Sequence, residues 1–81
     1  MTKKVINQPV QVSAVTFDRH FEEVPRRIEF EGRTLTFLDA GIRLLVQKGG
    51  QITRLWDMCD GEAQYRLRRD NSEWTLVAIS R

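Results

Sequence analysis

Apolar side chains recur along this chain at a spacing of two, not at the three-to-four spacing of a helix, which predicts an all-β protein. Pro9 to Phe17 alternates, with Val10, Val12 and Ala14 on one side and Val15 and Phe17 on the other. The phase therefore slips near Ala14, as a β-bulge would make it do. Met1 to Gln8 is polar and aperiodic, and is expected to be a frayed arm ahead of a single small β domain over residues 9–81. Asp18 to Pro25 has no period, and Pro25 disfavours the helical conformation at Val24, so a loop with at most one helical turn is expected there.

Arg26 to Phe30 and Arg33 to Phe37 read as two strands joined by a tight turn at Glu31-Gly32, where glycine tolerates the positive φ that hairpin turns demand. That turn sets Ile28 opposite Leu35, Phe30 opposite Arg33 and Arg26 opposite Phe37 on an apolar face. Arg27 then faces Thr36, and Glu29 faces Thr34, on a polar one. A slip of one residue would mix the two sets, so the register is specified by the pattern itself.

Past Phe37 the apolar phase moves from odd to even positions (Ile42, Leu44, Val46), and a bulge or bend at Asp39-Ala40-Gly41 is expected to absorb the step. Gly49-Gly50 marks a turn, after which Ile52, Trp56 and Met58 continue that face with Arg54 interrupting it. Ala63, Tyr65 and Leu67 form the next strand. A turn at Asp70 to Glu73 then sets Leu67 opposite Leu76 and Tyr65 opposite Ala78 in the last one, which runs from Trp74 to Ile79. About six or seven short strands with corner glycines predict a small antiparallel barrel or a strongly curved sheet. The expected core is Val10, Val12, Ile28, Phe30, Leu35, Phe37, Ile42, Leu44, Val46, Ile52, Trp56, Tyr65, Leu67, Trp74 and Leu76.

Composition narrows the function classes. Hydrophobic residues make up 41% and charged residues 30% of 81, which excludes fibrous and low-complexity chains. Apolar runs are too short for a membrane helix, and Met1 to Val10 lacks the apolar stretch of a secretory signal. A cytoplasmic protein with no membrane association is expected. Cys59 is the only cysteine and His20 the only histidine, far apart in sequence, so no disulfide framework, Cys-His nucleophile or multi-cysteine zinc site is available. Asp57 and Asp60 flank Cys59 and disfavour its thiolate. With Glu62 they make three oxygen ligands, but without the count and positions of a calcium loop. No enzyme, metal or cofactor is expected.

Ten of the thirteen basic residues are arginine, and the net charge is only +2. Alternation points Arg66 and Arg68 outward together, with Arg69 next in line and Val77 and Ile79 across from them. Val15, Phe17, Leu38 and Leu45 extend this minor face into a second apolar set that needs cover. The leading expectation is a non-enzymatic module binding a protein partner or its own copy through this arginine and β-branched face. The alternative is weak, sequence-nonspecific nucleic-acid binding in which Arg66, Arg68 and members of the set Arg43, Arg54 and Arg69 contact phosphates. No aromatic is expected beside those arginines for base stacking.

Pro9-Val10-Gln11-Val12, the run Ile28-Glu29-Phe30-Glu31-Gly32-Arg33, Tyr65-Arg66-Leu67-Arg68 and the closing Trp74 and Leu76 resemble a family of small bacterial β-rich domains of unknown function. Some of its members are encoded near Y-family translesion DNA polymerases. The resemblance spans most of Pro9 to Ile79 and departs from the family at Ile42-Arg43-Leu44, where a tryptophan is usual. It implies a DNA-related setting and no catalytic residue.

Overall fold

The computed structural model describes residues 2–38 and 41–81. Seven strands, β1 (Lys3–Phe17), β2 (Glu23–Phe30), β3 (Arg33–Thr36), β4 (Ile42–Lys48), β5 (Gln51–Cys59), β6 (Gln64–Asp70) and β7 (Glu73–Ser80), form one antiparallel sheet in the order β3-β2-β1-β7-β6-β5-β4. The sheet is open and not closed into a barrel. No helix occurs among the described residues, and so none is long and apolar enough to cross a membrane.

The frayed arm expected over Met1 to Gln8 is strand from Lys3 onward. Most of its side chains are exposed, with Ile6 half-buried against the core, while its backbone pairs from Lys3 to Val10 with β7. From Gln11 to Phe17 the same strand pairs instead with β2. β1 is thus the shared strand at which the sheet turns a corner. Two irregularities allow the turn: one between Val5 and Gln8, where Asn7 takes a φ of 52°, and one on either side of Ala14, where the sequence phase slips. Pro25, fully buried in β2, lies opposite Val15 beside that bulge, where its missing N–H is tolerated.

The corner brings β2 and β3 over the other strands. Val24, Ile28, Leu35 and Phe37 pack with Trp56, Met58, Ala63, Tyr65, Leu67, Trp74 and Leu76 into one core. The Phe37 and Tyr65 rings meet at 5.5 Å across the fold, and Trp56 and Trp74 meet edge to face at 4.9 Å. The Leu38 N–H donates to the Cys59 carbonyl at 2.8 Å, tying the end of β3 to the end of β5.

The first hairpin has the register the pattern specifies, from Arg27↔Thr36 to Phe30↔Arg33, with positive φ at both Glu31 and Gly32. The second hairpin corrects an expectation. Its two-residue turn, Gly49-Gly50, closes on Lys48↔Gln51, so even positions of β4 meet odd positions of β5: Ile42↔Asp57, Leu44↔Leu55, Val46↔Thr53. Ile42, Leu44 and Val46 therefore lie on the face opposite Trp56 and Met58, and Ile42 and Val46 are exposed, not core. Ile52 shares the Trp56 face but lies beyond the reach of β2 and β3, and is 62% exposed. Asp39 and Ala40 of the expected bend lie outside the described residues. At Gly41 the φ is +63°, and a Cβ would collide with the Asp57 carbonyl oxygen and the Met58 sulfur.

Candidate interaction surface

The register between β6 and β7 fixes where the arginine face points. Leu67 meets Leu76 as the turn arithmetic requires, but the next pair is Arg66↔Ala78 and then Tyr65↔Ile79, so β7 carries one extra residue at Val77. That bulge corrects the expected pairing of Tyr65 with Ala78. It also corrects the outward facing of Ile79, which joins Tyr65 and packs against the core, while Val77 is half-buried.

Two rows of side chains cross the outer face. One runs Ile42, Asp57, Arg66, Ala78 and Val5, and the next runs Leu44, Leu55, Arg68, Thr75 and Pro9. Arg66 donates from Nε and Nη2 to the two oxygens of Asp57, both at 2.8 Å. This two-pronged hydrogen bond raises the guanidinium further above its usual range, with partial burial opposing it. Arg68 Nε donates to Asp70 at 2.8 Å.

Arg43, Arg54 and Arg69 belong to the opposite face, where Arg43 lies across from Trp56, and Leu45, Arg54, Arg69 and Trp74 share a row. Arg69 sits 3.1 Å from a Glu23 oxygen, donates to the Asn71 carbonyl and lies 5.4 Å over the Trp74 ring. Arg43 pairs with Glu22, with Asp18 at 3.9 Å. Arg54 has no ion pair or hydrogen bond among the described residues. It lines a cleft of about 290 Å³ with Phe17, Phe21, Trp56 and Arg69. Sequence reasoning missed the aromatics at this cleft. Asp18 accepts hydrogen bonds from the His20 and Glu22 N–H groups, and this turn lifts Phe21 into solvent at a φ of 61°, 86% exposed.

Cys59, Asp60 and Tyr65 are tied into the β5–β6 turn. Cys59 Sγ accepts from the Gly61 N–H at 3.3 Å. Burial raises the Asp60 carboxyl, but the N–H groups of Glu62 and Ala63 and the Tyr65 hydroxyl outweigh it and hold Asp60 below its ordinary value. Burial and that same bond push Tyr65 up to about 12. Among the described residues no group of three or more His, Cys, Asp or Glu side chains could hold a metal ion.

The largest concentration of exposed apolar side chains is on the β4–β5 hairpin: Ile42 at 63%, Leu45 at 57%, Val46 at 46% and Ile52 at 62%. Both faces of this hairpin carry them, and β4 ends the strand order. A scan against protein-family models, a search of curated proteins and a search of solved structures each gave no match to this chain.

Proposed function

We propose that this chain is a non-enzymatic interaction module that binds protein through the β4–β5 hairpin. One observation carries the reading: four large apolar side chains stay exposed on two faces of one hairpin at the edge of the sheet. Exposed apolar groups scattered singly are ordinary, but four on one edge hairpin, two on each face, mark a contact surface. Arg66 and Arg68 border the set on the outer face as a polar rim already matched by Asp57 and Asp70. The non-enzymatic part of the reading is supported by how the reactive groups are used: His20 lies in an exposed turn, and Cys59 and Asp60 serve the β5–β6 turn.

Chemical denaturation of Leu45→Ser with Ile52→Ser tests the reading. If these side chains serve contact, stability changes by no more than about 0.5 kcal/mol. A loss above about 2 kcal/mol would make them supports of the domain's own fold and overturn the assignment.

A second reading keeps the DNA-related setting that the family resemblance implies. It is favoured by Phe17 and Phe21, 59% and 86% exposed, standing beside Arg54 in one cleft. Aromatic faces with an unmatched guanidinium suit single-stranded nucleic acid.

A further inference from the structure

The open edge of β4 has a geometry that selects its occupant. Lys48 and Gln51 close a two-residue turn and so exchange ladder hydrogen bonds. Alternation from that pair turns the N–H and C=O groups of Arg43, Leu45 and Gln47 away from β5, toward the side where β4 has no neighbouring strand among the described residues. We propose, building on the hairpin reading of function, that a second copy of this chain occupies this edge: two β4 strands pair antiparallel about a two-fold axis at Leu45.

Ile42–Lys48 has Leu45 at its centre, so this register pairs every residue of the strand. Leu45 meets Leu45 of the second copy on one face, and Leu44 meets Val46 twice on the other. Arg43 falls opposite Gln47, and Lys48 opposite Ile42, so no like charges face each other. A shift of two residues sets Leu45 against Arg43 or against Gln47 and leaves strand ends unpaired. The sequence of β4 is thus self-complementary in one register, as a two-fold interface requires.

The expected strength follows from size. Seven residues extend about 24 Å, and contact on both faces covers roughly 500 Å² per copy, near the lower limit of about 1,000 Å² in total for a specific interface. The dimer therefore sits at the weak, reversible end of specific interfaces, and association is sought over a wide concentration range.

Sedimentation velocity from about 5 to about 500 µM tests this. Wild type should move from 9.5 kDa toward twice that mass as concentration rises. Leu45→Glu places a carboxylate opposite Arg54 in its own hairpin, which keeps the monomer folded, but sets two carboxylates together at the axis. It should weaken association at least about 10-fold, with an unchanged circular dichroism spectrum. Leu45→Ser, without added charge, should weaken it less. In a Cys59→Ser background, Leu45→Cys should oxidise to a covalent dimer, since residues opposite each other in such a pair lie about 5.5 Å apart at Cα, while Ile52→Cys should not. A wild type that stays monomeric at the highest concentration overturns self-pairing, and the hairpin reading then stands or falls on its own denaturation test. A dimer indifferent to Leu45→Glu and not trapped by Leu45→Cys overturns pairing through β4.

Discussion

The two edges of the sheet solve the same problem in opposite ways. An edge strand presents unpaired backbone groups that any extended chain can join, and proteins usually shorten, charge or cover it. β3 is four residues long, exposes Arg33, Thr34 and Thr36, buries Leu35, and is tied down at its end by the Leu38 to Cys59 hydrogen bond. β4 is seven residues long and exposes Ile42, Leu45 and Val46, with its charges confined to Arg43 and Lys48. One edge is finished within the chain and the other stays long and apolar. Their difference comes from the corner at β1, which folds β2 and β3 over the core and leaves the β4–β5 hairpin projecting beyond it.

The contrast breaks if the two edges respond alike to truncation. Leu35→Ala should cost about 2 to 4 kcal/mol in chemical denaturation, because a buried leucine loses its transfer energy and leaves a cavity. Leu45→Ala should change stability by no more than about 0.5 kcal/mol. Equal losses would show that β4 is packed as tightly as β3.

Glycine substitutions sharpen the comparison at smaller amplitude. Gly41 and Gly49 share a φ of +63° at the two ends of β4, but a Cβ at Gly41 meets Asp57 and Met58 while at Gly49 it meets nothing within 4 Å. Gly49→Ala should cost about 1 kcal/mol, from backbone strain alone. Gly41→Ala should cost at least about 2 kcal/mol, since its neighbour is backbone that cannot move aside without disturbing β5. A Gly41→Ala loss no larger than that of Gly49→Ala would show the start of β4 to be as loosely held as its tip.

The closure on the β3 side also carries a pH signature. Tyr65, raised to about 12 by burial and its bond to Asp60, is protonated in the folded state where the unfolded phenol, near 10, is not. Its contribution is full below pH about 10 and is lost as pH rises toward about 12. Asp60 runs the other way. Its depressed value contributes stability above pH about 4, lost as pH falls through the folded value. Melting temperatures of Tyr65→Phe across pH should lack the alkaline decline and show a weaker acid one. An alkaline decline that persists in Tyr65→Phe would assign it to another group.

How much of this was legible depends on the local arithmetic. The β2–β3 register was readable because turn and pattern agree at every pair, and the Ala14 bulge because the apolar phase visibly slips. Apolar phase alone misplaces Ile42, Leu44 and Val46, because the two-residue turn at Gly49-Gly50 sets even positions of β4 against odd positions of β5. Lys48 against Gln51 already puts Ile42 opposite Asp57. Lys3 to Gln8 could not be read as strand by period, because neither face of it is fully covered. The bulge at Val77 has no signal either, since Val77, Ala78 and Ile79 are all apolar and alternation cannot count them. The candidate arginines are legible as residues but not as a patch: Arg66 and Arg68 are matched locally by Asp57 across the β5–β6 hairpin and by Asp70 within β6, while the pairs of Arg43 with Glu22 and Arg69 with Glu23 depend on strands brought together by the corner.

Those ion pairs set the smallest expected effect. If Arg66, Arg68 and one or two further arginines bound phosphate freely, three or four counterions would be released, and affinity would fall about 40- to 150-fold between about 50 and 200 mM salt. Of the five candidate arginines, four are matched by carboxylates of the chain itself, and only Arg54 stands unpaired among the described residues. A nucleic acid would have to displace a carboxylate at each further contact, so the cleft offers one or two phosphate contacts and a fall of roughly 3- to 12-fold over the same salt range. Fluorescence anisotropy with single- and double-stranded DNA should find at most this shallow slope, with single strands preferred because Phe17 and Phe21 offer ring faces and no helix enters a groove. Arg54→Glu should remove the slope, and Arg66→Glu should leave it unchanged, because the Arg66 guanidinium is already held by Asp57. A steep slope lost in Arg66→Glu would place nucleic acid on the outer face, beside β4, and would make that face a binding surface for phosphate in place of protein.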